Sequence, residues 1–549
     1  MSDLTASKRL LRDRLFEPVD SAILVYLRVI VGLGILYWAY SYTKPVAYDD
    51  ILLPFYDIAF LKPRFLFKYA GFEWVKLWPG NGIAWHFLIT KIAAVGLVLG
   101  LLTRVSAAIL CFSIAYVLLV ERHIYLNHYY LLSCVAGLMV FLPVGGRWSV
   151  DRKLGIERER RLVPKWHLWL VQFQLGIPYF FGAIAKMNAD WLQGQPGGIM
   201  LQDRTHVPLV ETFLQVPHAG LLFSYGGLFY DLLVVPMLLY RRTRMLAVLG
   251  SIGFHLSNSQ LFHIGVFPWF MLAALLIFFP WDWFPHWVGW IRSKYSDHPL
   301  SYSAARDKVR TDRDAAIVAL DEEKRKEPSG RQAKWFTPAA GMKTWGFRLA
   351  LTYVVIQLLL PIRPWILPGN PSWNERGQRF AWRMMLRQKV TLTTFRVEAP
   401  NGAYQFFPAR TVMTYYQMSR AERNPELVRQ AAVELKKMAE STGTKDAKIY
   451  CLALVSLNGR RPVPLVDPTI DLTTVRRGWL HDPWVNQKVS TLPKQPWKHR
   501  YDREQWWRQL VLPAPFKPLQ NRRPSELEAL IDAQRYAVLE AQKQHESAE

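Results

Sequence analysis

Nine long apolar runs, separated by short polar and basic connections, lie between residues 20 and 363. About 20 apolar residues with few charges match a helix crossing a bilayer core roughly 30 Å thick. The runs cover about 20–42, 83–102, 104–121, 126–144, 166–186, 218–240, 243–261, 263–284 and 345–363. A hydrophobic share of 51% would not by itself separate a membrane protein from a soluble one, but this blocking does. Residues Met1 to Asp20 are basic (Lys8, Arg9, Arg12, Arg14). The first run continues past the length of a signal-peptide core and has no small-residue cleavage site, so it reads as a retained first span. The expected fold is a mostly α integral membrane protein of about nine transmembrane helices over residues 1–363. A C-terminal extracytoplasmic α+β domain follows over 364–549.

The net charge is +25. In a soluble domain that would suggest nucleic acid. Here the basic residues gather in the connections, so no nucleic-acid partner is expected. Arg147, Arg152, Lys153, Arg158, Arg160, Arg161 and Lys165 follow the fourth run, and Arg241-Arg242-Thr243-Arg244 follows the sixth. Both lie on the cytoplasmic side if the N-terminus does. Residues 285–344, with Lys324-Arg325-Lys326, read as a long, charged, solvated cytoplasmic loop. Residues 43–82, rich in Pro, Trp and Phe, read as lying along the membrane surface. Cys111, Cys134 and Cys451 give neither a disulfide framework nor a metal spacing, so no metal is expected. No glycosylation acceptor exists, because Asn370-Pro371-Ser372 is excluded by its proline. This favours a bacterial cell membrane with the C-terminal domain outside; in a eukaryote the place would be the endoplasmic reticulum.

In the C-terminal part, Val390 to Val397 and Tyr404 to Phe407 flank Asn401-Gly402 and read as a hairpin. Residues 420–441 read as an amphipathic helix, Lys448 to Val455 as a strand and Glu526 to Gln544 as a terminal helix. Residues 477–520, rich in Trp, Pro and basic residues, read as resting on the bilayer.

This topology places several polar groups at one depth. Lys186 ends the fifth run, Asn127 and His128 open the fourth, and His255, Asn258 and Gln260 close the seventh before His263. Singly, Lys186 reads as a snorkelling anchor, and each histidine or amide as a helix–helix partner. Amides and imidazoles gain little from snorkelling, so their gathering also suits a reactive site. Asp231 and Arg28 read as charges paired with buried partners.

The motifs around these residues resemble the vitamin K-dependent γ-glutamyl carboxylases and their bacterial relatives, whose membrane part is an HTTM domain. Residues Phe181 to Trp191 are similar to the family's segment around its catalytic lysine, and Asn127-His128-Tyr129-Tyr130-Leu131 to its Asn-His-x-Tyr-Leu. Phe254 to Phe267 is the most specific likeness. Arg147 to Asp151, Ala381-Trp382-Arg383-Met384-Met385, Val455 to Asn458 and Val466 to Asp471 continue it, over about residues 10–485.

The resemblance implies coupled chemistry. Reduced vitamin K, a phylloquinol or menaquinol, is oxygenated by O2 to its 2,3-epoxide while CO2 carboxylates glutamate in a peptide or protein. The partners implied are membrane lipid, quinone and that glutamate substrate. Lys186 matches the hydroquinone base and His128 a histidine of the carboxylation half. Asn127, His255, Asn258 and Gln260 are placed near the quinone, and Trp382 where glutamate enters. Arg383 stands where the family has an acidic residue, yet Arg383 and Arg387 can themselves bind a carboxylate. Tyr225 replaces a histidine, and the chain is shorter than the animal enzymes. Two alternatives stay open: a quinone epoxidase without carboxylation, and a non-catalytic transporter or scaffold.

Overall fold

A computed structural model describes residues 11–48, 51–262, 264–295, 299–326, 341–478, 480 and 482–533. The apolar part forms helices α1 (Ala22–Thr43), α2 (Gly82–Leu99), α3 (Thr103–Val120), α4 (Asn127–Phe141), α5 (Trp166–Lys186), α6 (Ala219–Leu239), α7 (Arg244–Leu261), α8 (Phe267–Ala274), α9 (Trp283–Ser293), α10 (Tyr302–Lys326) and α11 (Trp345–Leu359). Helices suit such runs because they pair their own backbone polar groups where no water can.

Among the described residues six helices are long and apolar enough to cross a membrane: α1, α2, α3, α5, α6 and the run Trp345–Ile366. A seventh crossing arises only if Phe267–Phe278 and Trp283–Ser293, bent by 95°, count as one span. The difference from nine has physical causes. α4 has only 15 residues, about 22 Å of helix. α7 carries His255, Asn258 and Gln260, which lower its apolarity. The eighth run breaks at Pro280. His263 lies outside the described residues.

α1 sits in the centre of the bundle, burying Leu24, Leu27, Val31, Ile35 and Trp38. Arg28 on the same helix donates to the carbonyls of Val144 (3.0 Å) and Trp148 (2.8 Å), so it fixes packing as expected. The strand pair Pro18–Asp20 and Leu162–Pro164 joins the chain before α1 to the start of α5.

Two connections differ from expectation. Within 285–344 the described residues are largely helical. α10 is rich in Ala, Lys, Arg and Glu, which favour helix, and Arg310 docks it onto Asp282 at 3.0 Å. Residues 43–82 do not simply lie along the surface. Phe67 is fully buried in the core of the C-terminal domain, and the Lys68 N–H donates to Gln430 at 2.9 Å. This connection therefore pins that domain to the bundle.

The C-terminal domain is built on an antiparallel sheet of β1 (Lys389–Glu398), β2 (Tyr404–Pro408), β3 (Lys448–Leu457) and β4 (Val463–Pro464), in the order β2-β1-β3-β4. The expected hairpin and strand are all present. Two helices follow β2: α12 (Tyr415–Ala421) and α13 (Pro425–Ser441). Thr414 and Gln417 form a capping box on α12, and Asn424 caps α13 with Pro425 in its first turn.

Alternation along the strands gives the sheet two apolar faces. On one, Phe395, Ile449, Cys451 and Ala453 meet Leu427, Val428, Ala431 and Leu435 of α13. On the other, Leu452 and Leu454 meet Trp506, Trp507 and Phe516. The tryptophan-rich segment read as resting on the bilayer is therefore core: Trp484, Trp506 and Trp507 are buried. An exposed sheet face needs an apolar cover, and this segment supplies it. The terminal helix is described only to residue 533.

Candidate active site

A cavity of about 370 Å³ lies where α4 to α7 meet the sheet domain. Its bundle side carries Asn127, His128, Tyr179, Lys186, Asp231, His255 and Asn258, between the apolar side chains of Phe254, Phe262, Phe267 and Met271. Its sheet-domain side carries Glu375, Gln378, Arg379, Arg383, Arg387, Arg420 and Arg423. The structure thus unites Lys186, Asn127, His128, His255, Asn258, Arg383 and Arg387, which are far apart in sequence.

Lys186 is not unpaired, as a lone base would be. Its ammonium forms an ion pair with the Asp231 carboxylate on α6, and each residue keeps only 5% of its surface exposed. The charge so far from water requires a counter-charge. Gly182 permits the approach, since a Cβ there would lie 3.0 Å from Asp231 Oδ2. Lys186 Nζ also stands 5.7 Å over the Trp191 ring. Asp231 is thus the paired charge that the sequence marked, with Lys186 as its partner.

His255 is fully buried. Its Nε2 meets the Tyr179 hydroxyl at 2.8 Å, while Nδ1 has no protein partner among the described residues. His255 lines the cavity, and a buried imidazole nitrogen without a partner marks it as a candidate polar contact there. Asn127 accepts from the Tyr125 hydroxyl at 3.0 Å and donates to the Arg383 carbonyl at 3.3 Å, so it ties α4 to the sheet domain. His128 is half-buried, with its ring 5.6 Å from that of Phe267.

Two expected site residues stand apart from the cavity. Gln260 is exposed and does not line it; two residues beyond Asn258, it falls on another face of α7. Trp382 is 1% exposed and stacked on Tyr130 with ring centroids 4.9 Å apart, so it builds the wall behind the cavity.

The segment 375–385 above the cavity is coiled tightly. Glu375, Phe380, Trp382 and Met385 all have a left-handed backbone, which costs a non-glycine residue about 1–2 kcal/mol. Such strain persists only where surrounding contacts hold it. Here Tyr125 accepts the Phe380 N–H at 2.8 Å, and Arg383 Nε donates to Gln378 at 3.0 Å.

The cationic wall was only partly visible in sequence. Arg387 is spent on Glu375, which it grips at 2.8 and 2.5 Å, with Lys389 adding a contact at 2.7 Å. Burial pushes the Glu375 carboxyl up, but Arg387 and Lys389 more than offset this and hold it at about 2. Among the described residues, no carboxylate lies within ion-pair distance of Arg379, Arg383, Arg420 or Arg423. Burial, with Arg387 nearby, lowers Arg383 to about 10, still charged at neutral pH. The excess of positive charge in this wall favours an anionic ligand. Arg420 and Arg423 come from and just beyond α12, and no local motif announced them.

A helical bundle capped by a sheet domain, with a titratable cavity at their junction, defines a membrane-associated enzyme-like class. Residues 16–283 match the family model of the HTTM domain. Residues 342–490 match that of the vitamin K-dependent gamma-carboxylase lumenal domain. The chain belongs to the vitamin K-dependent γ-glutamyl carboxylase family and is a multi-pass membrane protein. No solved structure matches it.

The residues present fit the reduced naphthoquinone that this family implies. His255 and the Asn258 amide offer polar contacts to quinol oxygens, and Phe254, Phe262 and Phe267 offer apolar contact to a fused ring. Among the described residues no cluster of metal-ligating side chains occurs.

Proposed function

We propose that this protein couples oxygenation of a reduced naphthoquinone to γ-carboxylation of peptide glutamate, within a membrane domain (1–363) and an extracytoplasmic sheet domain (364–549). One observation carries the reading: a single cavity runs from the Lys186–Asp231 pair to an arginine-rich wall. A bound hydroquinone supplies, with O2, the base strong enough to take a glutamate γ-proton, and it leaves as the 2,3-epoxide while CO2 adds to the glutamate carbon.

The chain's own residues do the rest. Lys186 and Asp231 act as one unit, sharing a proton between amine and carboxylate and accepting a second from the hydroquinone hydroxyl. The resulting positive charge faces the oxygen anion left behind, so the net charge of the cavity does not change. His255, held by Tyr179, and Asn258 orient the quinol oxygens. His128, beside Phe267, serves the carboxylation half. The apolar side chains exclude water, which would quench a strong base. Arg383, with Arg379, Arg420 and Arg423, holds the substrate carboxylate.

The test supplies purified protein with menaquinol or phylloquinol, O2, labelled bicarbonate and a glutamate-containing peptide. Epoxide and labelled peptide are expected together. Epoxide without label would instead establish an epoxidase, and neither product a non-catalytic role.

A further inference from the structure

A second cleft, of about 970 Å³, opens between α5 and α6 on the other side of the Lys186–Asp231 pair. Its walls are apolar. Leu168, Phe173, Ile177 and Phe180 follow one face of α5, and Val235 and Leu239 face them from α6. Phe180 and Leu239 are each about half exposed, so the cleft is open sideways to the bilayer.

The charges are arranged at its two ends. The inner end stops at Asp231, whose carboxylate is neutralised by Lys186. The mouth carries Arg14, Lys165 and Arg244. Lys165 caps the start of α5 and Lys186 ends it, so the mouth opens at the membrane face opposite the sheet domain. From Lys165 to Phe180 the helix rises about 22 Å, longer than one hydrocarbon leaflet of about 15 Å.

One acidic group stands against these three cations: Glu17 takes Lys165 at 2.7 Å. Arg244 donates to the Leu238 carbonyl at 2.8 Å, which leaves its charge uncompensated. Among the described residues, no carboxylate lies within ion-pair distance of Arg14. An apolar trough with a net-positive mouth at headgroup level is complementary to an amphiphile with an anionic head. A neutral isoprenoid tail would use the trough but not the cations.

We propose that this cleft is a binding site for an anionic phospholipid, with its phosphate among Arg14, Lys165 and Arg244 and an acyl chain along α5. The site is separate from the catalytic cavity and does not depend on its chemistry. It meets that cavity only at Asp231.

The full chain, in nanodiscs of phosphatidylcholine with a minor fraction of phosphatidylglycerol, is released into mild detergent and weighed by native mass spectrometry. The expected result is retained phosphatidylglycerol, enriched over its bulk fraction. Arg14→Gln with Lys165→Gln should lower that enrichment roughly thirtyfold, the scale for two basic charges near an anionic headgroup. Because Lys165 also holds the N-terminal segment, a second variant leaves the mouth intact: Ile177→Trp fills the trough and should exclude the chain. Bound phosphatidylcholine at equal occupancy, undiminished enrichment in both variants, or a quinone retained in the cleft instead would each overturn the proposal.

Discussion

Arg460 reaches from the turn after β3 and holds both carboxylate oxygens of Asp190 at 2.7 Å. Asp190 lies just after α5, four residues beyond Lys186, and Asn458 adds a third hydrogen bond at 2.8 Å. The sheet domain thereby fixes the end of the helix that carries the lysine.

Removing that clamp should loosen the junction. Arg460→Met or Asp190→Asn should lower stability by about 1.5–3 kcal/mol, the scale of hydrogen bonds to a charged group, read as a fall in Tm in detergent. Burial raises the Asp190 carboxyl, but Arg460 and Asn458 outweigh it and hold it below its usual range. The clamp therefore stabilises above the ordinary carboxylate pKa and is lost as pH falls through the depressed value. The variants should accordingly differ least from the native chain in acid.

Glu375 gives a second acid-sensitive contribution. Its carboxyl titrates at about 2 in the fold against 4.5 for a free glutamate. The shift corresponds to about 3 kcal/mol of stability at neutral pH, lost as pH falls from about 5 to 2. Glu375→Gln also strands Arg387 and Lys389, a change of about 3–5 kcal/mol for a broken buried pair. Tryptophan fluorescence during urea unfolding should show a large gap at pH 7 that shrinks towards pH 2.

The outcomes differ by how local each signal was. β1, β3 and α13 could be read in advance because their apolar spacing and Asn-Gly turns belong to single short segments. The tryptophans of 477–520 could not be placed, since the same composition suits a bilayer surface and the cover of a sheet. Lys186 was visible as one lysine ending an apolar run, but its partner Asp231 lies on another helix. Arg383 stood in a motif with Arg387 two residues beyond it, whereas Arg420 and Arg423 reach the cavity only through the fold of α12. Gln260 was misplaced because depth in the membrane does not say which way a side chain faces.

His255 should control quinol binding more than the sheet domain's substrate. His255→Ala removes the imidazole and its Tyr179 contact together, and should raise the hydroquinone KM about tenfold, equivalent to about 1.4 kcal/mol. Tyr179→Phe keeps the imidazole but frees its orientation, and should give a smaller rise. Steady-state assays varying hydroquinone at fixed peptide check both.

The arginines should separate by their existing partners. Arg383→Gln is expected to raise the peptide KM by about 10–100-fold, the loss of a charged hydrogen bond. Arg387→Gln should act mainly through stability, because its guanidinium already holds Glu375. Peptide KM and Tm measured on each variant distinguish the two effects.

The central claim is that the Lys186–Asp231 pair takes the hydroquinone proton. Arginine keeps the charge but cannot release its proton at accessible pH. Lys186→Arg should therefore abolish epoxide formation while leaving the fold and hydroquinone binding intact, and Asp231→Asn should reduce it strongly. The most direct measurement is the epoxide yield of Lys186→Arg beside the native chain, with hydroquinone binding followed by fluorescence quenching. Loss of epoxide with binding retained is the result expected; epoxide at native rates would contradict the assignment of Lys186 as the base.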